Sequence, residues 1–149
     1  MSIQQIATTS FKVQLLQAVH NFGPTSPDTF KVALYTAAAN IGPTTTAYTT
    51  VGEIVGAGYT AAGLDLTILV SPTSGANILS VPTAYISFDS ATWPNAAFTV
   101  RGALIYNDTV VGKPSVAVLD FGSDKTVTND TFQIIFPTPD ANSAIVRIS

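Results

Sequence analysis

Phe30-Lys31-Val32-Ala33-Leu34-Tyr35 places Phe, Val and Leu at every second position, with Lys, Ala and Tyr between them. An extended chain sends successive side chains to opposite faces, so this spacing gives one strongly apolar face and predicts a β-strand. The same period recurs downstream. Leu64, Leu66, Ile68 and Val70 alternate with Asp65, Thr67 and Leu69; Ala84, Ile86 and Phe88 form another set, and Phe98, Val100, Leu104 and Tyr106 a further one. Residues 116–121, 132–136 and 144–148 complete a series of seven or eight short strands. Gly102 interrupts its strand where a bulge or a close backbone contact is expected.

Between these runs, Asn107-Asp108, residues 111–114 and Gly122-Ser123-Asp124 have the composition of turns that join antiparallel neighbours, and residues 72–75 act as a breaker. Residues 38–50 are Thr-rich, broken by Gly42-Pro43, and read as a surface loop. The economical way to bury many alternating faces in a chain of 149 residues is one mainly β domain. We expect an antiparallel β-sandwich, jelly-roll or immunoglobulin-like, spanning 10–149.

Upstream the period changes. Phe11, Leu15, Val19 and Phe22 are spaced by four, four and three, while Lys12, Gln14 and Gln17 point elsewhere, which predicts one N-terminal amphipathic helix over 10–22. Thr9 or Ser10 would cap its start, and Gly23-Pro24 would stop it. Residues 1–9 lack a period and read as an N-terminal arm.

Composition narrows the function classes. Charged residues make up 10% of the chain and hydrophobic ones 46%, with a mean hydropathy of +0.36. An average soluble domain is about 25% charged. No apolar run approaches the roughly 18 residues of a membrane span, and the start of the chain has no basic n-region or apolar h-region. The polar surface must come largely from Thr, Ser, Asn and Gln, which do not supply the repulsion that keeps neighbours apart. Net charge is −3, and the six basic residues are scattered, so nothing resembles a phosphate-neutralising stripe and no nucleic-acid partner is expected. The absence of cysteine removes disulfides, thiolate metal sites and cysteine nucleophiles.

Residues with catalytic chemistry are sparse. His20, the only histidine, is predicted near a helix C-terminus, where a structural role is the ordinary one. Glu53 is the single glutamate, and Asp108, Asp124, Asp130 and Asp140 lie in predicted turns. Asp65 and Asp120 fall within predicted strands, where a carboxylate needs water or a partner, and Arg101 is the natural candidate for an ion pair. The glycines at 52, 56 and 58 have no following lysine or helix to hold a phosphate and read as a turn or bulge. Trp93 with Tyr48, Tyr59 and Tyr106 could form a sugar-stacking platform, although sandwich cores ordinarily take such rings. The expectation is a protein with no catalytic residues, cofactor or metal.

Several segments carry a family likeness: Ser10-Phe11-Lys12 through His20-Asn21-Phe22, then 28–35, Gly56-Ala57-Gly58-Tyr59-Thr60, 101–107 and Val118-Leu119-Asp120-Phe121-Gly122. Together, over about Ser10 to Phe136, they resemble small structural proteins of tailed bacteriophage virions. The resemblance implies a non-enzymatic virion component made in the host cytoplasm. It implies a capsid decoration or cement protein on the capsid exterior, with a tail or baseplate role, including receptor or carbohydrate binding, as the alternative. The implied partners are the major capsid protein and further copies of the chain, as a small cyclic oligomer such as a trimer. On that view the arm and the Thr-rich loop reach to neighbours, with Ile3, Ile6 and Tyr48 as interface residues.

Overall fold

The computed structural model describes residues 2–149. The elements run β1 (Ile6–Ala7), α1 (Thr9–Leu16), β2 (Phe30–Tyr35), β3 (Leu64–Leu66), β4 (Ile68–Ala76), β5 (Pro82–Phe88), β6 (Ala91–Asn107), β7 (Ser115–Ile134) and β8 (Val146–Ile148). They build a five-stranded sheet, β1-β7-β6-β2-β3, and a three-stranded sheet, β4-β5-β8, with every strand pair antiparallel. The fold is the expected mainly β, sandwich-like arrangement with one short helix.

Its backbone is the long β6–β7 hairpin, paired from Ala91↔Ile134 to Tyr106↔Ser115. Asn107 organises the connecting turn, its Oδ1 accepting from the amides of Thr109 at 3.0 Å and Val110 at 3.3 Å. Gly102 sits at a register shift after Val100, and a Cβ there would lie 2.5 Å from the Leu119 carbonyl oxygen and 2.9 Å from Ile3 Cγ2. The bulge and the close approach thus coincide. Gly122-Ser123-Asp124 is not a turn: it lies inside β7, where Gly122 takes a positive φ of 75° and the strand continues. A residue that favours a turn serves equally as the left-handed position of a bulge, and composition does not distinguish the two. The strands expected at 116–121 and 132–136 are therefore one.

Two further differences have clear causes. The run 64–70 splits at Thr67 into β3 and β4, which belong to different sheets, so this segment carries the chain from one layer to the other. The Thr67 carbonyl accepts from Asp89 N at 2.8 Å and so pins that corner. Residues 72–75 do not break the chain but lie within β4, the outer strand of the small sheet, where the missing amide of Pro72 is tolerated at an edge.

The helix expected over 10–22 stops at Leu16. Thr8, rather than Thr9 or Ser10, caps it, with Oγ1 accepting from Phe11 N at 3.4 Å. Ala18 turns the chain with a φ of 55°, and His20 and Phe22 then enter the core. Val19, His20 and Asn21 are modest helix formers. Burying Phe22 face to face with Phe30, centroids 4.3 Å apart, outweighs continuing the helix. Of the apolar helix residues only Phe11 is fully buried, while Val13 and Leu16 are exposed, so the helix is much less amphipathic than its spacing implied.

The main core lies between the sheets and contains Phe11, Phe22, Phe30, Val32, Leu34, Phe88, Trp93 and Ile105. A second cluster, Ala33, Tyr35, Ala39, Ile41, Leu104, Tyr106 and Val118, covers the outer face of the five-stranded sheet. That face carries a smaller apolar cluster of its own, and residues of the 38–50 loop together with Ile3 close over it.

Candidate functional site

Glu53 is the most heavily bonded carboxylate in the fold. Its Oε1 accepts from Tyr59 Oη at 2.6 Å and from Ala62 N at 2.7 Å, and its Oε2 accepts from Tyr48 Oη at 2.6 Å. Tyr59 Oη also accepts from Leu34 N at 3.0 Å, which ties the loop to β2. Tyr106 Oη donates to the Ala62 carbonyl at 2.7 Å and Tyr35 Oη to the Thr49 carbonyl at 2.6 Å. Burial, reinforced by the bond to Glu53, pushes the Tyr48 phenol up to about 12. Burial also raises Tyr35, Tyr59 and Tyr106 well above the ordinary phenol range. Four phenols that stay protonated and a carboxylate held by three donors form a clasp for the long loop between β2 and β3, with neither a free base nor a free nucleophile.

His20 lies in a second network. Its Nε2 is 3.0 Å from Gln14 Oε1, and its Nδ1 is 3.2 Å from Asn107 Nδ2. The amide nitrogen of Asn107 can only donate, which assigns the imidazole as neutral with its proton on Nε2, directed at Gln14. Asn107 Nδ2 also donates to Asp28 Oδ2 at 2.7 Å, and that oxygen accepts Asn21 N at 2.8 Å. Burial lowers the histidine pKa, against a smaller upward pull from Asp28. The buried imidazole lies among Phe11, Phe22 and Phe30. Sequence spacing placed His20 in a helix; the structure places it just beyond one, joining the chain exit to the end of β6.

The strand carboxylates are paired. Asp120 Oδ1 accepts from Arg101 Nε at 3.2 Å and from Gly122 N at 2.9 Å. The Gly122 amide first, and the guanidinium after it, hold the Asp120 carboxyl below the usual range. Asp65 lies 3.5 Å from Lys31. Lys31 is also 3.6 Å from Asp108, whose other oxygen lies 2.8 Å from Lys113 Nζ. Lys113, with Lys31 in support, depresses the Asp108 pKa. Arg101 is therefore the partner of Asp120, and Asp65 belongs to a different pair. Among the described residues no group of three or more His, Asp or Glu side chains is disposed to hold a metal ion, and no helix is long and apolar enough to cross a membrane.

Trp93 is 1% exposed and packs against Phe132, so it offers no face to a sugar. The residues expected at an interface lie against this chain's own fold. Ile3 bridges to Ile41, Ile6 pairs with Val118 in β1, and Tyr48 stacks on Tyr106; Ile3 and Tyr48 are half-buried against the second cluster. The physical reason is the apolar outer face of the large sheet, which needs a cover that the arm and Thr-rich loop provide.

Several large aliphatic side chains nevertheless stand open to solvent. Val111 at the β6–β7 turn is 99% exposed, Val55 95%, Leu16 92% and Ile78 88%, with Leu79 beside Ile78 at the β4–β5 tip also exposed. Single exposed aliphatics are common. A fully exposed one at each of several projecting turns, on a surface with few charges, is a surface suited to contact.

The fold is that of a mainly β, sandwich-like protein whose polar clusters are bonded within the chain. No protein-family model matches the chain, and neither does any curated protein or solved structure.

Proposed function

We propose that the protein is a non-enzymatic structural component of a tailed-bacteriophage virion, acting as a capsid decoration or cement protein. The observation that carries this reading is the pairing of a sparsely charged sequence with fully exposed aliphatics at projecting turns, Val111 and Ile78 among them. The resemblance of residues 10–136 to virion structural proteins supplies the context. The burial of Trp93 and the internal bonding of Glu53 and His20 favour this reading over a sugar-binding or hydrolytic one.

Mechanistically, a protein that binds only the assembled shell shifts the equilibrium toward the intact particle by mass action. The partner is the major capsid protein, met at joints between capsomers, and a small cyclic oligomer such as a trimer would match a symmetry axis. The arm, with Ile3 and Ile6, and Tyr48 of the loop would contribute through the portions they leave exposed. The experiment is co-sedimentation of purified protein with undecorated mature capsids. Saturable binding in fixed ratio to capsomers is expected; no binding, together with absence of the protein from purified virions, would overturn the reading.

A further inference from the structure

Two adjoining hollows lie between α1 and the small sheet. One, about 330 Å³, has Phe11, Leu15, Ile145 and Val146 in its walls, with Lys12 and Arg147 among its lining residues. The other, about 130 Å³, is wholly apolar where it is accessible, and shares Leu15, Val146 and Ile148 with the first. They form one groove, apolar around Leu15, Val146 and Ile148 and mixed in the larger hollow, where Asn77, Thr83 and Ser149 also contribute.

The charges around it are unusual for this chain. Lys31, Arg101 and Lys113 are in ion pairs, and Lys125 donates to Ser123 Oγ at 2.9 Å. Lys12, Lys125 and Arg147 are the basic side chains without an acidic partner among the described residues, and Lys12 and Arg147 line the same hollow. No acidic side chain lines either hollow. In a protein of net charge −3, two of the three cations without an acidic partner thus line one hollow.

The strand beside them is also open. β8 pairs with β5 through Ala84↔Ile148, Tyr85↔Arg147 and Ile86↔Val146, and it is the outermost strand of its sheet. An unpaired edge next to an apolar hollow is the arrangement by which an added strand gains main-chain hydrogen bonds while its side chains fill pockets.

From these three features we propose that the groove between α1 and β8 binds an extended segment of a partner protein carrying a carboxylate beside bulky aliphatic side chains. The aliphatic groups occupy the floor around Leu15 and Ile148, and the carboxylate lies between Lys12 and Arg147. An edge strand favours a peptide over a fatty-acid anion, which has no use for backbone donors. The proposal deepens the assembly reading and rests on it only for the source of the segment.

The test uses the whole protein and three probes followed by amide NMR shifts: a capped five-residue peptide with aspartate between leucine and valine, the same peptide with lysine for aspartate, and decanoate. The aspartate peptide should shift the amides of Lys12, Arg147 and Ile148. The lysine peptide, and the double variant Lys12→Gln/Arg147→Gln, should each weaken binding about tenfold, the loss expected for a charge-assisted contact. Both cations are exposed, so the double variant should melt with the wild type. Equal binding of the two peptides, no binding by either, or binding of decanoate alone would each overturn the proposal. Capsid binding is scored separately. Capsids that bind wild type and double variant alike would exclude the capsid as the source of the segment and leave the assembly reading intact; peptide binding without capsid binding would overturn the assembly reading and leave the groove.

Discussion

The ring of Tyr48 lies over that of Tyr106 with centroids 4.8 Å apart, while the Tyr48 hydroxyl donates to Glu53 at 2.6 Å. One side chain of the Thr-rich loop therefore covers the outer face of the large sheet and anchors the loop behind it.

Removing the hydroxyl with Tyr48→Phe keeps the ring stack but leaves Glu53 one donor short, and should cost about 1–2 kcal/mol. Tyr48→Ala loses the ring as well and should cost about 3 kcal/mol. The midpoint of urea unfolding measures both, with an unchanged slope. The phenol provides a second readout. Its folded pKa is raised to about 12 from 10.0, so its contribution to stability is complete below pH 10.0 and is lost as the pH rises through about 12. In Glu53→Gln, phenolate absorbance should show a Tyr48 titration moved down toward the ordinary value.

His20 predicts a different window. Its folded pKa lies below 6.5, so below pH 6.5 the unfolded chain takes up a proton that the fold resists, and stability falls on acidification. The melting temperature should therefore decline below about pH 6.5, above the range in which Asp108 and Asp120 titrate, since both carboxyls are depressed. His20→Gln, which keeps a polar group facing Gln14 and Asn107, should flatten this part of the profile. An unchanged slope in the variant would mean that the imidazole is not the group responsible.

Gly102 tests the close approach at the bulge. Gly102→Ala drives a methyl group toward the Leu119 carbonyl, where a Cβ would stand 2.5 Å away, and the main chain must shift to admit it. A loss of about 2 kcal/mol is expected. The second neighbour is Ile3 at 2.9 Å, so adding Ile3→Ala removes only the yielding part of the clash. The double variant should be no more stable than Gly102→Ala alone, whereas recovery would identify Ile3 as the main obstacle.

The features legible in the sequence are those set by side-chain period. The alternation in β2, and that of β6 around Phe98 and Tyr106, carried the fold class, and placing Asp65 and Asp120 on strands pointed to Arg101 as the partner of one of them, which is Asp120. Other features depended on long-range partners. The helix ends at Leu16 because Phe22 is taken by Phe30, and nothing local to residues 17–22 encodes that competition. Gly122 reads as a turn and acts as a bulge because β6 continues beside it. The clasp on Glu53 was not legible, since Tyr48 and Tyr59 converge on it through loop geometry rather than a periodic spacing. Lys12 and Arg147 likewise share a hollow only once α1 meets β8.

The exposed turns separate folding from assembly. Val111 is 99% exposed and Ile78 88%, so neither contributes appreciably to the core. Val111→Asp and Ile78→Asp should each change unfolding stability by less than about 0.5 kcal/mol, the range of surface substitutions that touch no packed feature. At a contact the same change buries a carboxylate against an apolar partner, with a penalty far larger than the loss of one aliphatic group. Each variant should therefore unfold with the wild type yet weaken capsid binding, or association between copies of the chain, by about tenfold or more. Sedimentation velocity at high protein concentration and co-sedimentation with capsids measure the two. If both variants remained wild-type in stability and in every association, these turns would be ordinary solvent-facing residues, and the contact surface would have to lie elsewhere on the sandwich.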